Sequence, residues 1–209
     1  MQHTRVIFPP TLQTTLSVVK KVFIPENRID ILQSLIVYIQ EKLDLELEVN
    51  LNFVCTHNSR RSQFSQVWAQ TAAIFYGIKV NCFSGGVEVT TFNQSALSAL
   101  KKSGFDINTI GTDNPRHEVF MSHDFEPLIM FSKLFDDSIN PRNNHATIMT
   151  CSHADENCPV ITGSEKRFSI HYEDPKKFDG LRIAASKYNE CSIQVASEMF
   201  YIFSQLKNK

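Results

Sequence analysis

Between Val49 and Gly104 the sequence alternates short apolar runs with helical patterns, and this rhythm restricts the fold more than any other feature. "VNLNFVC" reads as a strand ending at Cys55, and "QFSQVWAQTAAIFYG" follows as a helix with Gly77 placed to cap it. "KVNCFSGG" is a second strand that breaks at a glycine pair. "NQSALSALKKSG" is a second helix, with Asn93 as its N-cap, an Ala96–Leu97–Leu100 seam and Gly104 as its stop. Strand, helix, strand, helix is the order of a parallel sheet covered on both faces. "NNHATIMTC" returns as a core strand ending at Cys151, and a strand near "KRFSIHY" runs into Asp174-Pro175.

The flanking segments read differently. The first 49 residues are helical in pattern. "RIDILQSLIVYIQEKLD" puts Ile29, Leu32, Leu35, Ile36, Ile39 and Leu43 on one face, Pro25 is suited to open it, and a weaker helix covers about Leu12 to Val22. Residues 108 to 144 break the rhythm, with "HEVFMS" and "EPLIMFSKLF" as two strands of an inserted hairpin. The last helix spans about Leu181 to Leu206, with Ile193, Ala196, Met199, Phe200 and Phe203 on one side. A chain of 209 residues suits one generous domain with an appendage: a helical extension at 1–49 and a catalytic domain at 50–209 with an insertion at about 108–144.

Charge and cysteine usage exclude several classes. A formal net charge of -1 exerts no broad pull toward nucleic acid or an anionic membrane, so any anion recognition is local. No apolar stretch reaches membrane-spanning length, and "MQHTRVIFPPTLQ" lacks the features of a secretory signal. Five cysteines, an odd number, fit reduced thiols in a cytoplasm better than a disulfide framework. Each cysteine then needs its own reason.

Three core strands end in Cys55, Cys151 and Asp174, and ligands of an open parallel sheet sit beyond the carboxyl ends of its strands. The loop Cys55-Thr56-His57-Asn58-Ser59-Arg60-Arg61-Ser62 lies between a strand and a helix. Such a loop curls so that successive N–H groups form a nest for an anion, with the helix N-terminus behind it. Arg61 offers a fork of donors to a tetrahedral oxyanion. Cys55 at the base becomes a thiolate in that field, Ser62 donates a hydrogen bond to it, and Asn58 tolerates the left-handed backbone of a tight loop. A cysteine followed by an arginine six positions later is common by chance; the apolar strand before and the helix after give it weight.

These residues resemble the phosphate-binding loop of low-molecular-weight protein tyrosine phosphatases and of the thioredoxin-coupled arsenate reductases that share their fold. The family loop runs Cys-x-Gly-Asn-x-Cys-Arg-Ser; Cys55, Asn58, Arg61 and Ser62 match, as does Gln63 for the reductase branch. His57 stands where glycine is usual, either modulating the thiolate or filling the position, and Arg60 stands where a second cysteine is usual and is expected to point outward. The likeness extends over about 50–206, excluding the extension and the insertion.

"TCSHADENCP" then separates the branches. The reductases carry Cys-Ser-Asp-Ala-Asp-x-Asn-Cys-Pro there, and Cys151, Ser152, Ala154, Asp155, Asn157, Cys158 and Pro159 match, with His153 replacing an aspartate. The resemblance implies that Cys55 attacks arsenate, Cys151 attacks Cys55 and releases arsenite, and Cys158 attacks Cys151 to leave a disulfide for thioredoxin. "SHADEN" is expected to be a flexible polar loop, with Cys158 outside the core. His145 and His153 lie nearby, but the spacing is not a zinc-knuckle pattern and no metal is expected. Cys82 and Cys191 read as core residues. Asp174-Pro175 matches the family's loop in which the aspartate acts as general acid. The lysines Lys176 and Lys177 after it suit a phosphotyrosine ring poorly, leaving Tyr172 or Phe178 to contribute. Related reductases often bind potassium through an acidic helix residue, but Gln66 occupies that place.

The expectation is an α/β three-layer sandwich with a four-stranded parallel sheet, acting as an arsenate reductase through Cys55, Cys151 and Cys158. No bound cofactor is expected; thioredoxin is the electron donor, and small oxyanions (arsenate, phosphate, sulfate) the ligands, held by Thr56, His57, Asn58, Ser59, Arg60 and Arg61. The alternatives are a tyrosine phosphatase using Cys55, Arg61 and Asp174 on phosphotyrosine, and a non-catalytic oxyanion-binding module.

Overall fold

The computed structural model describes residues 6–122, 124–158 and 160–207. Its core is one parallel sheet built from β1 (Asn50–Cys55), β2 (Asn81–Gly86), β6 (His145–Met149) and β7 (Ser164–Ser169), in the order β2-β1-β6-β7. Cys55 pairs with Gly86 and Val54 with Met149, so the carboxyl ends of three strands arrive at one edge. The fourth strand stops at Ser169, and Asp174 follows on an irregular stretch rather than at the strand end.

Two helices, α3 (Arg61–Tyr76) and α4 (Gln94–Ser103), follow β1 and β2, and α6 (Ala184–Ser204) packs against both. Gly77 (φ 67°) ends α3, and Asn93 Oδ1 caps α4 by accepting from the amides of Ser95 (2.9 Å) and Ala96 (3.1 Å). Along β1, Leu51 and Phe53 enter the main core beneath these helices. Asn52 and Val54 face the other way, where Asn52 Nδ2 donates to Phe135 O and Val54 joins a second, smaller cluster. Every residue of β1 and β6 is buried, as expected of central parallel strands covered on both sides.

The amino-terminal segment forms α1 (Pro10–Val19) and α2 (Glu26–Asp44), so the first helix starts and stops before the expected Leu12–Val22. Leu12, Leu32, Leu35 and Ile39 are completely buried in the same cluster as Trp68 and Phe200. Gly104 shows how close this packing is: a Cβ there would lie 2.3 Å from Leu12 N. The insertion differs from expectation. The hairpin is present as β4 (Arg116–Phe120) and β5 (Leu128–Met130), but β3 (Asp106–Ile110) pairs antiparallel with β4 and makes a three-stranded meander. One further helix, α5 (Ser152–Asn157), follows β6. Among the described residues no helix is long and apolar enough to cross a membrane.

Candidate active site

The loop between β1 and α3 has its backbone sorted by polarity. Cys55 O accepts from Val87 N (3.3 Å), Thr56 O from Glu88 N (2.8 Å), Ser59 O from Asn93 N (3.0 Å) and Arg60 O from Phe64 N (2.9 Å). His57 O accepts from Ser132 Oγ (2.8 Å) and Asn58 O from Gln63 Nε2 (2.8 Å). With the carbonyls tied outward, the amides from Thr56 to Arg61 have no acceptor among the described residues. Asn58 at φ 44° supplies the left-handed step that closes the curl. Buried amides without acceptors are rare, and a row of them is a nest for an anion. Gly86 lines its wall: a Cβ there would meet Asn58 N at 2.7 Å.

Cys55 Sγ sits 3.1 Å from Ser62 Oγ. Asn58 Nδ2 already donates to that oxygen at 2.9 Å, so the Ser62 hydroxyl proton is left to point at the sulfur. Asn58 is itself held by Lys133, whose amide donates to Asn58 Oδ1 at 3.0 Å. Residues 131–133 therefore act as a strap: Phe131 O takes Gln63 Nε2 at 3.0 Å, Ser132 holds His57 O, and Lys133 holds Asn58. Sequence reasoning missed this strap because it works mostly through backbone atoms. Lys133 is only 2% exposed, its ammonium has no hydrogen-bond partner among the described residues, and burial pulls it down to about 8.

Arg61 leaves the first turn of α3 and reaches Asp174: Nη2 to Oδ2 is 2.6 Å, while Nη1 donates to Tyr172 O at 3.2 Å. Its buried Nε has no hydrogen-bond partner among the described residues, a further donor awaiting an acceptor. Arg60 corrects an expectation. It turns inward, with its side chain 12% exposed, Nε on the Tyr188 hydroxyl at 3.1 Å and Nη1 3.9 Å from Asp174. The cause is α6, which brings Tyr188 over the loop, where Asp179 accepts the same hydroxyl's proton at 2.8 Å. His57 pairs instead with Glu88 at 3.2 Å. Tyr172 is buried beneath Arg28 and Phe178 lies beside Lys177 and Lys187, so neither stands as a free aromatic wall.

The second cysteine pair also departs from expectation. "SHADEN" is helix α5, not a flexible loop: Cys151 is its N-cap, with Sγ accepting from Ala154 N at 3.4 Å, and Cys158 closes the other end. Cys158 is buried rather than loop-exposed, and that burial pushes its thiol up against the opposing pull of Arg167. Asp155 fastens α5 to the β7 side through Arg167 (2.8 Å), His171 (2.8 Å) and Ser169; burial raises its carboxyl, but these bonds outweigh it and hold the group below its ordinary value. Cys55, Cys151 and Cys158 share the small cluster with Val54, Met149, Ala154 and Ile161. Thr56 Oγ1 lies 3.5 Å from Cys151 Sγ, linking the loop to the second cysteine.

The other two thiols lie in the main core, where burial pushes Cys191 up to about 12 and Cys82 further. Gln66 is buried, its amide donating to Cys82 O at 2.9 Å. Pro159 lies outside the described residues.

No family model matches the chain. It is 31% identical over 123 residues to "Arsenate reductase 2" of Staphylococcus saprophyticus, a match covering 59% of this chain and 76% of that one. The arsenate reductase of Staphylococcus aureus strain Newman is 29% identical over the same length and coverage. Among solved structures, a low-molecular-weight protein tyrosine phosphatase from T. tengcongensis superposes with a TM-score of 0.53 at 16% identity, covering 76% of this chain and 100% of that one. An arsenate reductase solved in the phosphate binding state gives 0.51 at 17% identity, covering 77% and 100%. At those identities the two structures show the shared fold.

Proposed function

We propose that this chain, which belongs to the arsenate reductase family on the low-molecular-weight phosphotyrosine phosphatase fold, reduces arsenate to arsenite by a relay through Cys55, Cys151 and Cys158. The observation that carries the reading is the gathering of these three thiols in one buried cluster beside a nest of amides that have no acceptor among the described residues. A phosphatase needs the nest and one thiol; the other two have a use only if electrons move.

In the first step Cys55 Sγ attacks arsenic while the loop amides and Arg61 Nε donate hydrogen bonds to the oxyanion. The anion displaces Asp174 from Arg61; freed of the guanidinium, Asp174 takes up a proton from solvent and passes it to the departing oxygen, which leaves as water. Cys151 then attacks Cys55 Sγ. The sulfur–arsenic bond breaks with its electron pair going to arsenic, arsenic falls from the pentavalent to the trivalent state, and arsenite departs as a Cys55–Cys151 disulfide forms. Cys158 attacks Cys151 Sγ and returns Cys55 as a thiolate, which Ser62 stabilises as leaving group. The remaining Cys151–Cys158 disulfide suits reduction by thioredoxin.

Fully reduced protein mixed with arsenate and no reductant tests this. One arsenite per chain and a mapped Cys151–Cys158 bridge are expected, with catalytic oxidation of thioredoxin once it is supplied. Cys158→Ala is expected to stop after one arsenite with a Cys55–Cys151 bridge. Aryl phosphate hydrolysis with no disulfide and no arsenite would instead assign the site to a phosphatase.

A further inference from the structure

Cys151 must lose a proton before it attacks, yet it is 1% exposed and water has no direct access to it. The path out is visible in one side chain. Thr56 Oγ1 lies 3.5 Å from Cys151 Sγ and 3.3 Å from His153 Nδ1, and Thr56 itself is buried. A hydroxyl holding one proton between two such partners accepts from the S–H and donates to the ring nitrogen. That requires the His153 tautomer with its proton on Nε2, leaving the Nδ1 lone pair toward Thr56. His153 is exposed, so the ring has access to solvent. The neighbouring imidazoles are committed elsewhere: His57 Nε2 to Glu88 at 3.2 Å and His171 Nε2 to Asp155 at 2.8 Å. Asp155 is occupied in turn by Arg167 and Ser169 as well.

We propose that Thr56 and His153 form a proton path out of Cys151, with His153 as the acceptor that makes the second thiol a nucleophile. The proposal rests on the reductase reading above and adds to it the group that activates the arsenite-releasing step. As Cys151 attacks Cys55, its proton passes to Thr56 Oγ1, the original hydroxyl proton passes to His153 Nδ1, and the imidazolium returns a proton to water from Nε2. The hydroxyl keeps one proton throughout and can turn back toward the sulfur, where Ala154 N–H already points at 3.4 Å. No oxidant beyond arsenate is involved, because two thiols lose the electron pair that arsenic gains. His153 is thus a positioning residue and proton acceptor acting through Thr56, and its first contact with Cys55 chemistry comes only after the arsenic adduct exists.

The test is a rapid-quench single turnover on the reduced full-length chain, with arsenate in excess, no thioredoxin, and released arsenite as the readout. His153→Asn keeps a hydrogen-bonding side chain without a proton acceptor, and His153→Ala removes both. Both are expected to slow arsenite release by about tenfold or more. The arsenate concentration at half-saturation is expected to stay unchanged, since the nest is untouched. Added imidazole is expected to restore His153→Ala and leave the wild type as it was, a response that loss of packing alone does not give. Wild-type rates in both variants would overturn the proposal, as would a slow His153→Ala that imidazole leaves slow. A wild-type chain that releases no arsenite at all would sink the reductase reading and the relay with it, and only in that case is the wild type silent.

Discussion

Lys133 is the residue whose chemistry is least comfortable in this fold. Its amide holds Asn58 while its ammonium is buried with no hydrogen-bond partner among the described residues, 5.1 Å from the Phe131 ring centre, and burial brings it from 10.5 to about 8. Between those pH values the unfolded chain keeps a proton that the folded chain has released, so stability rises with pH through that window and the full cost is present below it. The cost is about 3 kcal/mol at neutral pH. Lys133→Met is therefore expected to raise the urea midpoint at pH 7 and to flatten the rise expected of the wild type between pH 8 and 10. Gly86 gives a second prediction. Its Cβ-free surface lies against Asn58 N, so Gly86→Ala is expected to tilt the loop amides and weaken phosphate binding by about tenfold in calorimetry. At this scale the sequence was most legible where chemistry and local backbone coincide: the strand-ending Cys55, the left-handed Asn58, and Ser62 seven positions after the sulfur it touches. Arg60 was misread because its partner Tyr188 lies 128 positions downstream, and Lys133 because nothing in "FSK" announces a strap.

Among the elements, α5 was illegible for a physical reason. Between its two cysteines Ala154 is the one apolar and the one buried residue, so the five polar residues around it carry no apolar period for a helix to show. The strand β3 hid in the same way, with Ile107 its one buried position. By contrast, Asn93 and Gly104 marked the ends of α4 because capping is a local event. What holds α5 is the fastening of Asp155 to Arg167, His171 and Ser169. Arg167→Ala is expected to loosen it, seen as faster amide exchange over 152–157 and a several-fold faster alkylation of Cys158. Cys82 and Cys191, in the main core, are expected to keep their rates. Unchanged exchange in α5 would show that the fastening is not what orders it.

Across the whole molecule, the amino-terminal helices are continuous with the core that supports the site. Arg28 of α2 grips Glu198 of α6 through two bonds of 2.7 and 2.8 Å, and its guanidinium lies 4.9 Å from the Tyr172 ring centre. Tyr172 O in turn receives Arg61. Leu35→Ala in α2 is expected to cost about 2–5 kcal/mol and to lower the fluorescence transition of Trp68, the single tryptophan, together with the far-ultraviolet transition. Two separated transitions would mean that the extension melts alone. The helical pattern of residues 1–49 was readable, but its partner was not, because an apolar stripe does not say which surface it will cover. One sulfur stands at each end of α5, Cys151 before it and Cys158 after it. Seven residues of helix span about 10 Å, whereas bridged cysteines bring their Cα atoms to within about 7 Å. A Cys151–Cys158 bridge and the helix exclude one another, so in the proposed relay a spent molecule would differ in contour from a fresh one. A partner delivering electrons can then choose its target by shape, before any sulfur is touched.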